Sequence, residues 1–215
     1  PRLGGACRTA GGGPWNVPHP MTAGNTPDPH IAKVVYEDED IVVVCKPSCM
    51  PSVPGLDGRE SLLDLLQKEL QTPVIAIHRL DMDTSGIMIY AKDENAARNL
   101  RMQFEKHTII KEYLARLSPA DMVTESWQTP HEILKEGAEG IISFPLSPDY
   151  DERPRQKADI RNGKEAVTGY QVVRSNADGT TDIIFRPVTG RTHQLRVHAA
   201  HTSGLSRPIL GDLLY

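Results

Sequence analysis

The chain has no apolar run long enough to cross a bilayer as a helix, which would take about 20 consecutive apolar residues. Its opening residues hold one early arginine, Arg2, with no apolar stretch behind it, so a secretory signal is not expected. Three cysteines, Cys7, Cys45 and Cys49, stand in 215 residues, too few for a disulfide framework. Cys45 and Cys49 are four apart and have no second pair to complete a zinc site. His193, His198 and His201 lie five and eight apart, off a single helical face, and no cysteine or carboxylate completes a recognisable ligand set. Gly190 and Gly211 belong to no phosphate-cradling loop of known spacing. No internal repeat is present. A reducing, cytoplasmic setting without membrane or metal is therefore expected.

The hydrophobic share is 39%, which supports a core in one domain or a domain with an appendage. The net charge of −4 argues mildly against a nucleic-acid partner. Its distribution matters more than its sum. Residues 117–150 hold a single basic residue, Lys135, among six acids, whereas residues 151–201 hold nine Lys/Arg against six acids. The acidity is local, and either a basic face or an ordinary mixed surface fits the second stretch.

Residues 1–30 carry Gly4-Gly5, Gly11-Gly12-Gly13 and scattered prolines without apolar periodicity. They read as a disordered or loosely packed extension, with residues 31–215 as the folded domain. Lys33–Tyr36 and Ile41–Cys45 look like strands joined by the acidic turn Glu37-Asp38-Glu39-Asp40. Ser61–Leu70 places leucines on one helical face. Asp93–Lys106 reads as a second helix, with Asp93 as N-cap and Ala97, Leu100 and Phe104 on one stripe. Ile109–Leu117 alternates as a strand. Ala166–Val173 and Thr181–Val188 are strands linked by the turn Asn176-Ala177-Asp178-Gly179. Arg191–Thr202 reads as a helix. Hairpins interleaved with a few helices imply an α+β domain whose mixed, largely antiparallel sheet is flanked by helices.

Between two apolar runs, Val74-Ile75-Ala76-Ile77 and Ile87-Met88-Ile89-Tyr90, lies His78-Arg79-Leu80-Asp81-Met82-Asp83-Thr84-Ser85-Gly86. A short polar loop held on strand ends is where catalytic side chains usually sit. Upstream stands Val42-Val43-Val44-Cys45-Lys46-Pro47-Ser48, with Ser52-Val53-Pro54-Gly55 behind it. Downstream come Lys111-Glu112-Tyr113-Leu114-Ala115-Arg116, then Thr189-Gly190-Arg191-Thr192-His193-Gln194-Leu195-Arg196-Val197-His198, then Pro208-Ile209-Leu210-Gly211-Asp212. Motifs in this order are far more specific than any one of them.

In these motifs the chain resembles the RluA-type pseudouridine synthases. The resemblance implies the pseudouridine synthase fold and the isomerisation of a uridine in structured RNA, a redox-neutral reaction needing no cofactor. It makes Asp81 the catalytic carboxylate, acting by covalent attack or by taking a proton from the sugar. It makes Arg196 the cation paired with that carboxylate and Tyr113 the ring stacked on the target uracil. Arg79 fills the stack vacated by an extruded base, or contacts phosphate, or forms a plain ion pair. Lys46, Arg153, Arg155, Lys157, Arg191 and His193 are candidate RNA-backbone contacts, each equally readable as a solvated residue. Ser52-Val53-Pro54-Gly55, Arg153-Pro154-Arg155-Gln156-Lys157 and Gly163-Lys164-Glu165-Ala166 look most like the branch acting on a tRNA anticodon stem-loop and 23S rRNA. A monomer is expected.

Two departures from the family pattern stand out. Cys49 occupies the place of a common glycine, which bears on the local turn. Relatives normally continue past the Gly-Asp-x-x-Tyr element, so a truncated C-terminus is expected. The rival reading is a non-catalytic RNA-binding protein that keeps the fold. Asp81, Tyr113 and Arg196 together speak against it, because a binder has no use for the charge pair.

Overall fold

A computed structural model describes residues 33–56, 58–119 and 134–215. The extension expected at 1–30 lies outside the described residues. The chain divides into two compact units, Pro1–Met102 and Gln103–Tyr215.

The first unit is built on a four-stranded antiparallel sheet. Its strands are β1 (Lys33–Glu37), β2 (Ile41–Lys46), β3 (Ile75–Ala76) and β4 (Gly86–Ala91), in the order β1-β2-β4-β3. The acidic turn forms because the Asp38 carboxylate accepts the amides of Asp40 and Ile41. Alternation along β2 buries Val42, Val44 and Lys46 completely, as the period of two requires. Helix α1 (Leu62–Leu70) opens with a capping box between Ser61 and Asp64, which satisfies two orphan amide donors. It buries Leu62 and Leu66. Helix α2 (Glu94–Glu105) starts where the Asp93 carboxylate accepts the amides of Asn95 and Ala96. It turns Ala97 inward, the first residue of the expected stripe.

The second unit carries another antiparallel sheet. Its strands are β5 (Tyr113–Leu117), β6 (Glu139–Ser143), β9 (Val167–Ser175) and β10 (Thr181–Pro187), in the order β5-β10-β9-β6. A ribbon of β7 (Leu146–Pro148) and β8 (Gln156–Ala158) stands beside it. Leu117, Ile142, Phe144, Val172, Ile183 and Phe185 form the core with Val197, Ala199 and Leu205. The β9–β10 turn places Gly179 at φ 80°, a conformation natural to glycine. Helix α3 (Gln194–Ala200) is shorter than the expected 191–202 because His193 before it is left-handed, φ 52° and ψ 18°, and His201 after it is extended, φ −69° and ψ 148°. Strands β6, β7 and β8 were not expected. The α+β class and the antiparallel character agree with the sequence reading.

Candidate active site

The Asp81 loop joins β3 to β4, which pair antiparallel. Within it the Thr84 amide donates to Asp81 O at 3.1 Å, closing a turn on the aspartate. Gly86 ends the loop at φ 138°, where a side chain is poorly tolerated. The Ile89 amide donates to His78 Nε2 at 3.1 Å, so this nitrogen is unprotonated and its ring anchors the loop to β4. Asp81 is half-buried and Arg79 is exposed.

Three side chains, from the last residue of β2 and the segment after it, fasten this loop. Ser52 Oγ donates to Leu80 O at 2.7 Å and accepts from the Leu80 amide at 3.1 Å. Lys46 Nζ donates to Met82 O at 2.8 Å, and also to Pro47 O and Met50 O at 2.9 and 2.7 Å. Ser48 Oγ donates to Asp83 O at 2.7 Å. Backbone carbonyls outside any strand ladder need such partners when water is excluded.

The position of Lys46 corrects the reading of it as an RNA-backbone contact. The side chain is fully buried and its ammonium is spent on three carbonyls, so it holds protein backbone and not phosphate. Burial pushes this ammonium down to about 8, against the pull of the nearby Asp83 and Asp81 charges. The inward phase of β2 is what the sequence reading missed, since a lysine at a strand end ordinarily faces water. Cys49 has φ 62°, so the turn keeps the conformation that suits a glycine. Cys45 is a free thiol.

Tyr113, Arg196, Arg153, Arg155, Lys157, Arg191 and His193 lie in the second unit. Tyr113 opens β5 opposite Phe185, half-buried against the core. Arg196 projects from α3 and forks onto Asp212, Nε to Oδ2 at 2.6 Å and Nη2 to Oδ1 at 2.7 Å. The placement of α3 rests on Gln194. Its amide donates to Val167 O and Thr168 Oγ1 and accepts from Thr189 Oγ1 and the Arg191 amide.

Tyr215 draws several of the expected residues together. Its hydroxyl accepts the Gln156 amide at 2.6 Å and meets His193 Nδ1 at 2.9 Å. The guanidiniums of Arg155 and Arg196 each lie 5.3 Å from its ring centroid. Arg155 also pairs with Glu152. Lys157 pairs with Asp149 at 3.3 Å, and Arg153 stands over the Tyr150 ring. Arg191 is exposed and donates to Glu165 O at 2.8 Å. Sequence reasoning missed Ser52 as a loop anchor, Asp212 as a partner of Arg196, and Tyr215. Ser52 and Asp212 stood inside quoted motifs, but spacing does not reveal which backbone or guanidinium a side chain meets. Among the described residues no group of three His, Cys, Asp or Glu is placed to hold a metal ion. No helix among them is long and apolar enough to cross a membrane.

Residues 40–201 match the sequence profile of a family described as RNA pseudouridylate synthase. The chain is 38% identical over 193 residues to the dual-specificity RNA pseudouridine synthase RluA of Escherichia coli strain K12, covering 89% of this chain and 80% of that protein. It is 40% identical over 184 residues to the protein of the same name from Haemophilus ducreyi, covering 84% of this chain and 76% of that one. Two solved structures are similar. Human RNA pseudouridylate synthase domain containing 1 aligns with a TM-score of 0.67 at 26% identity, over 89% of this chain and 72% of that one. Human RNA pseudouridylate synthase domain containing 4 aligns with a TM-score of 0.60 at 28% identity, over 84% and 67%. The chain belongs to the RNA pseudouridylate synthase family and is an RNA pseudouridine synthase, an isomerase that converts uridine to pseudouridine in RNA.

Proposed function

We propose that Asp81 is the catalytic carboxylate of this isomerisation and that Tyr113 and Arg196 take the other catalytic roles. The observation that carries the reading is the anchoring of the Asp81 loop. A half-buried carboxylate stands on a turn whose neighbouring backbone is tied down by Ser52, Lys46 and Ser48. Preorganisation of this kind is what a carboxylate acting on a ribose carbon needs.

The N1–C1′ bond breaks, the uracil turns, and a C5–C1′ bond forms. The proton leaving C5 is balanced by one gained at N1, so the atoms close without a co-reactant. Asp81 serves either by attack at C1′ or by taking a sugar proton while the base is detached. A stacked Tyr113 ring contributes about 1–3 kcal/mol to holding the base. The target must leave its stack first, at a few kcal/mol, and Arg79 occupies the vacated place.

The RNA we propose is a tRNA anticodon stem-loop together with 23S rRNA, acted on in the cytoplasm by a monomer. Identity of 38% to proteins named dual-specificity supports this choice, as do the Ser-Val-Pro-Gly and Arg-Pro-Arg-Gln-Lys segments. Arg153, Arg155, Lys157, Arg191 and His193 serve as backbone contacts, with Arg155 and His193 both against Tyr215. Each phosphate neutralised on a single strand steepens the salt dependence of log affinity by about 0.7.

Release of tritium from RNA labelled at uridine C5 tests the reading, with Asp81→Asn as control. Release by the wild type from tRNA and from 23S rRNA, and none by Asp81→Asn, is expected. Wild-type release by Asp81→Asn sinks the assignment of Asp81. Release from one RNA alone narrows the substrate to that RNA.

A further inference from the structure

Asp81 is flanked by two peptide planes, and both are pinned. The plane after it is held by the Thr84 amide on Asp81 O. The plane before it contains the Leu80 carbonyl, and that carbonyl accepts from Ser52 Oγ at 2.7 Å. The same hydroxyl accepts the Leu80 amide at 3.1 Å, so one side chain satisfies both polar groups of one residue. Ser52 is only 4% exposed. Its own carbonyl accepts from the Tyr90 hydroxyl at 3.2 Å, and Tyr90 is fully buried in β4. The chain of contacts therefore runs from the sheet, through Ser52, to the residue preceding Asp81.

We propose that Ser52 is a positioning residue for the Asp81 carboxylate. The inference rests on the reading of Asp81 as the catalytic group. Leu80 lies beyond the end of β3, and Ser52 stands where a ladder partner would otherwise be. Without the hydroxyl, two buried backbone groups lose their partner. The loop then relaxes toward other donors, and the first peptide plane turns. The carboxylate moves with it, because Asp81 pivots about that plane. A displacement near 1 Å costs about 100-fold in rate, while groups that grip RNA elsewhere are untouched.

The test compares single-turnover rates and RNA affinities of Ser52→Ala, Ser52→Thr, Asp81→Asn and Leu66→Ala. Leu66 is a buried α1 residue and controls for plain loss of stability. Ser52→Ala is expected to react about 100-fold more slowly with unchanged RNA affinity. Ser52→Thr, which keeps the hydroxyl, is expected to recover most of the rate. Leu66→Ala is expected to lower the melting temperature and leave the rate, measured well below melting, at wild type. Should Ser52→Ala not fold, Ser52→Cys takes the same comparison, since its thiol is a weak donor of similar size. A Ser52 variant that reacts as fast as Leu66→Ala while Asp81→Asn is inactive overturns the positioning role alone. Wild-type turnover by Asp81→Asn overturns the reading beneath it.

Discussion

Arg196 holds Asp212 through two parallel hydrogen bonds of 2.6 and 2.7 Å. Their side chains are 14% and 4% exposed, so the pair is largely removed from water. Asp212 also accepts the Leu214 amide at 2.8 Å, which ties the last turn of the chain to α3. Burial pushes the Asp212 carboxyl up, but the bond and charge of Arg196 and the backbone amides of Leu214 and Tyr215 outweigh it and hold the group below its usual value. Its folded pKa thus lies below the unfolded one, near 3.9. The stability it contributes is present above about pH 4 and is lost as pH falls through the folded value. Asp212→Ala is expected to cost roughly 3–5 kcal/mol, because a guanidinium is left largely buried without this carboxylate. Urea unfolding at pH 7 measures the loss. A change under about 1 kcal/mol, the scale of an exposed pair, refutes it.

His198 sets a second pH dependence. The ring is fully buried, with Nδ1 2.9 Å from Thr168 Oγ1. Burial pushes it down to about 4, a bond with the Phe144 backbone opposes this, and the His201 charge adds to it. The unfolded ring titrates near 6.5, so the unfolded chain binds the extra proton between about pH 4 and 6.5. Stability rises with pH across that window and is lost as pH falls through it. His198→Gln is expected to be less stable at pH 7.5 and flatter between pH 4 and 6.5. Parallel slopes for the two proteins would show that His198 is not the group responsible.

The motifs around Asp81 were legible because their order along the chain is specific, and the strands flanking the loop were legible as apolar runs. The fate of Lys46 was not. A lysine is assigned to the surface by composition, and only the inward phase of β2 with three converging carbonyls reverses that. Strands β7 and β8 have three residues each, too few for alternation to register. The late start of the third helix depends on a left-handed His193, and nothing in the local sequence marks that residue as the helix boundary. The links from Arg196 to Asp212 and from Ser52 to Leu80 span 16 and 28 residues. Such pairings are set by packing, and no local pattern encodes them.

Cys49 is held at φ 62°, where a residue with a Cβ is disfavoured by about 1–2 kcal/mol. Glycine lacks that strain. The comparison belongs in reducing buffer, where every cysteine is a thiol. There Cys49→Gly is expected to be the more stable protein by roughly 1 kcal/mol, after the larger unfolded-state freedom of glycine is set against the relieved strain. Thermal melts of both reduced proteins decide it. A lower melting temperature for the glycine variant would mean that contacts of the cysteine side chain outweigh the backbone term.

Lys46 makes the last prediction because its sign is unusual. Desolvation leaves its folded pKa at about 8, below the 10.4 or so of an unfolded lysine. Between these values the unfolded chain binds more protons than the folded one. Lys46 therefore makes the fold more stable as pH rises through that window, the reverse of a lysine in a surface ion pair. Lys46→Met keeps most of the buried stem but offers no donor to Pro47, Met50 and Met82. It is expected to be less stable than the wild type at every pH, since buried carbonyls are left unpaired at about 1–3 kcal/mol each when no water reaches them. The gap between the two proteins should widen from pH 8 to pH 10. Urea midpoints at pH 7.5, 9 and 10 measure it. A gap that narrows would place the folded pKa above the unfolded one, with the three carbonyls holding the ammonium charged more strongly than burial discharges it.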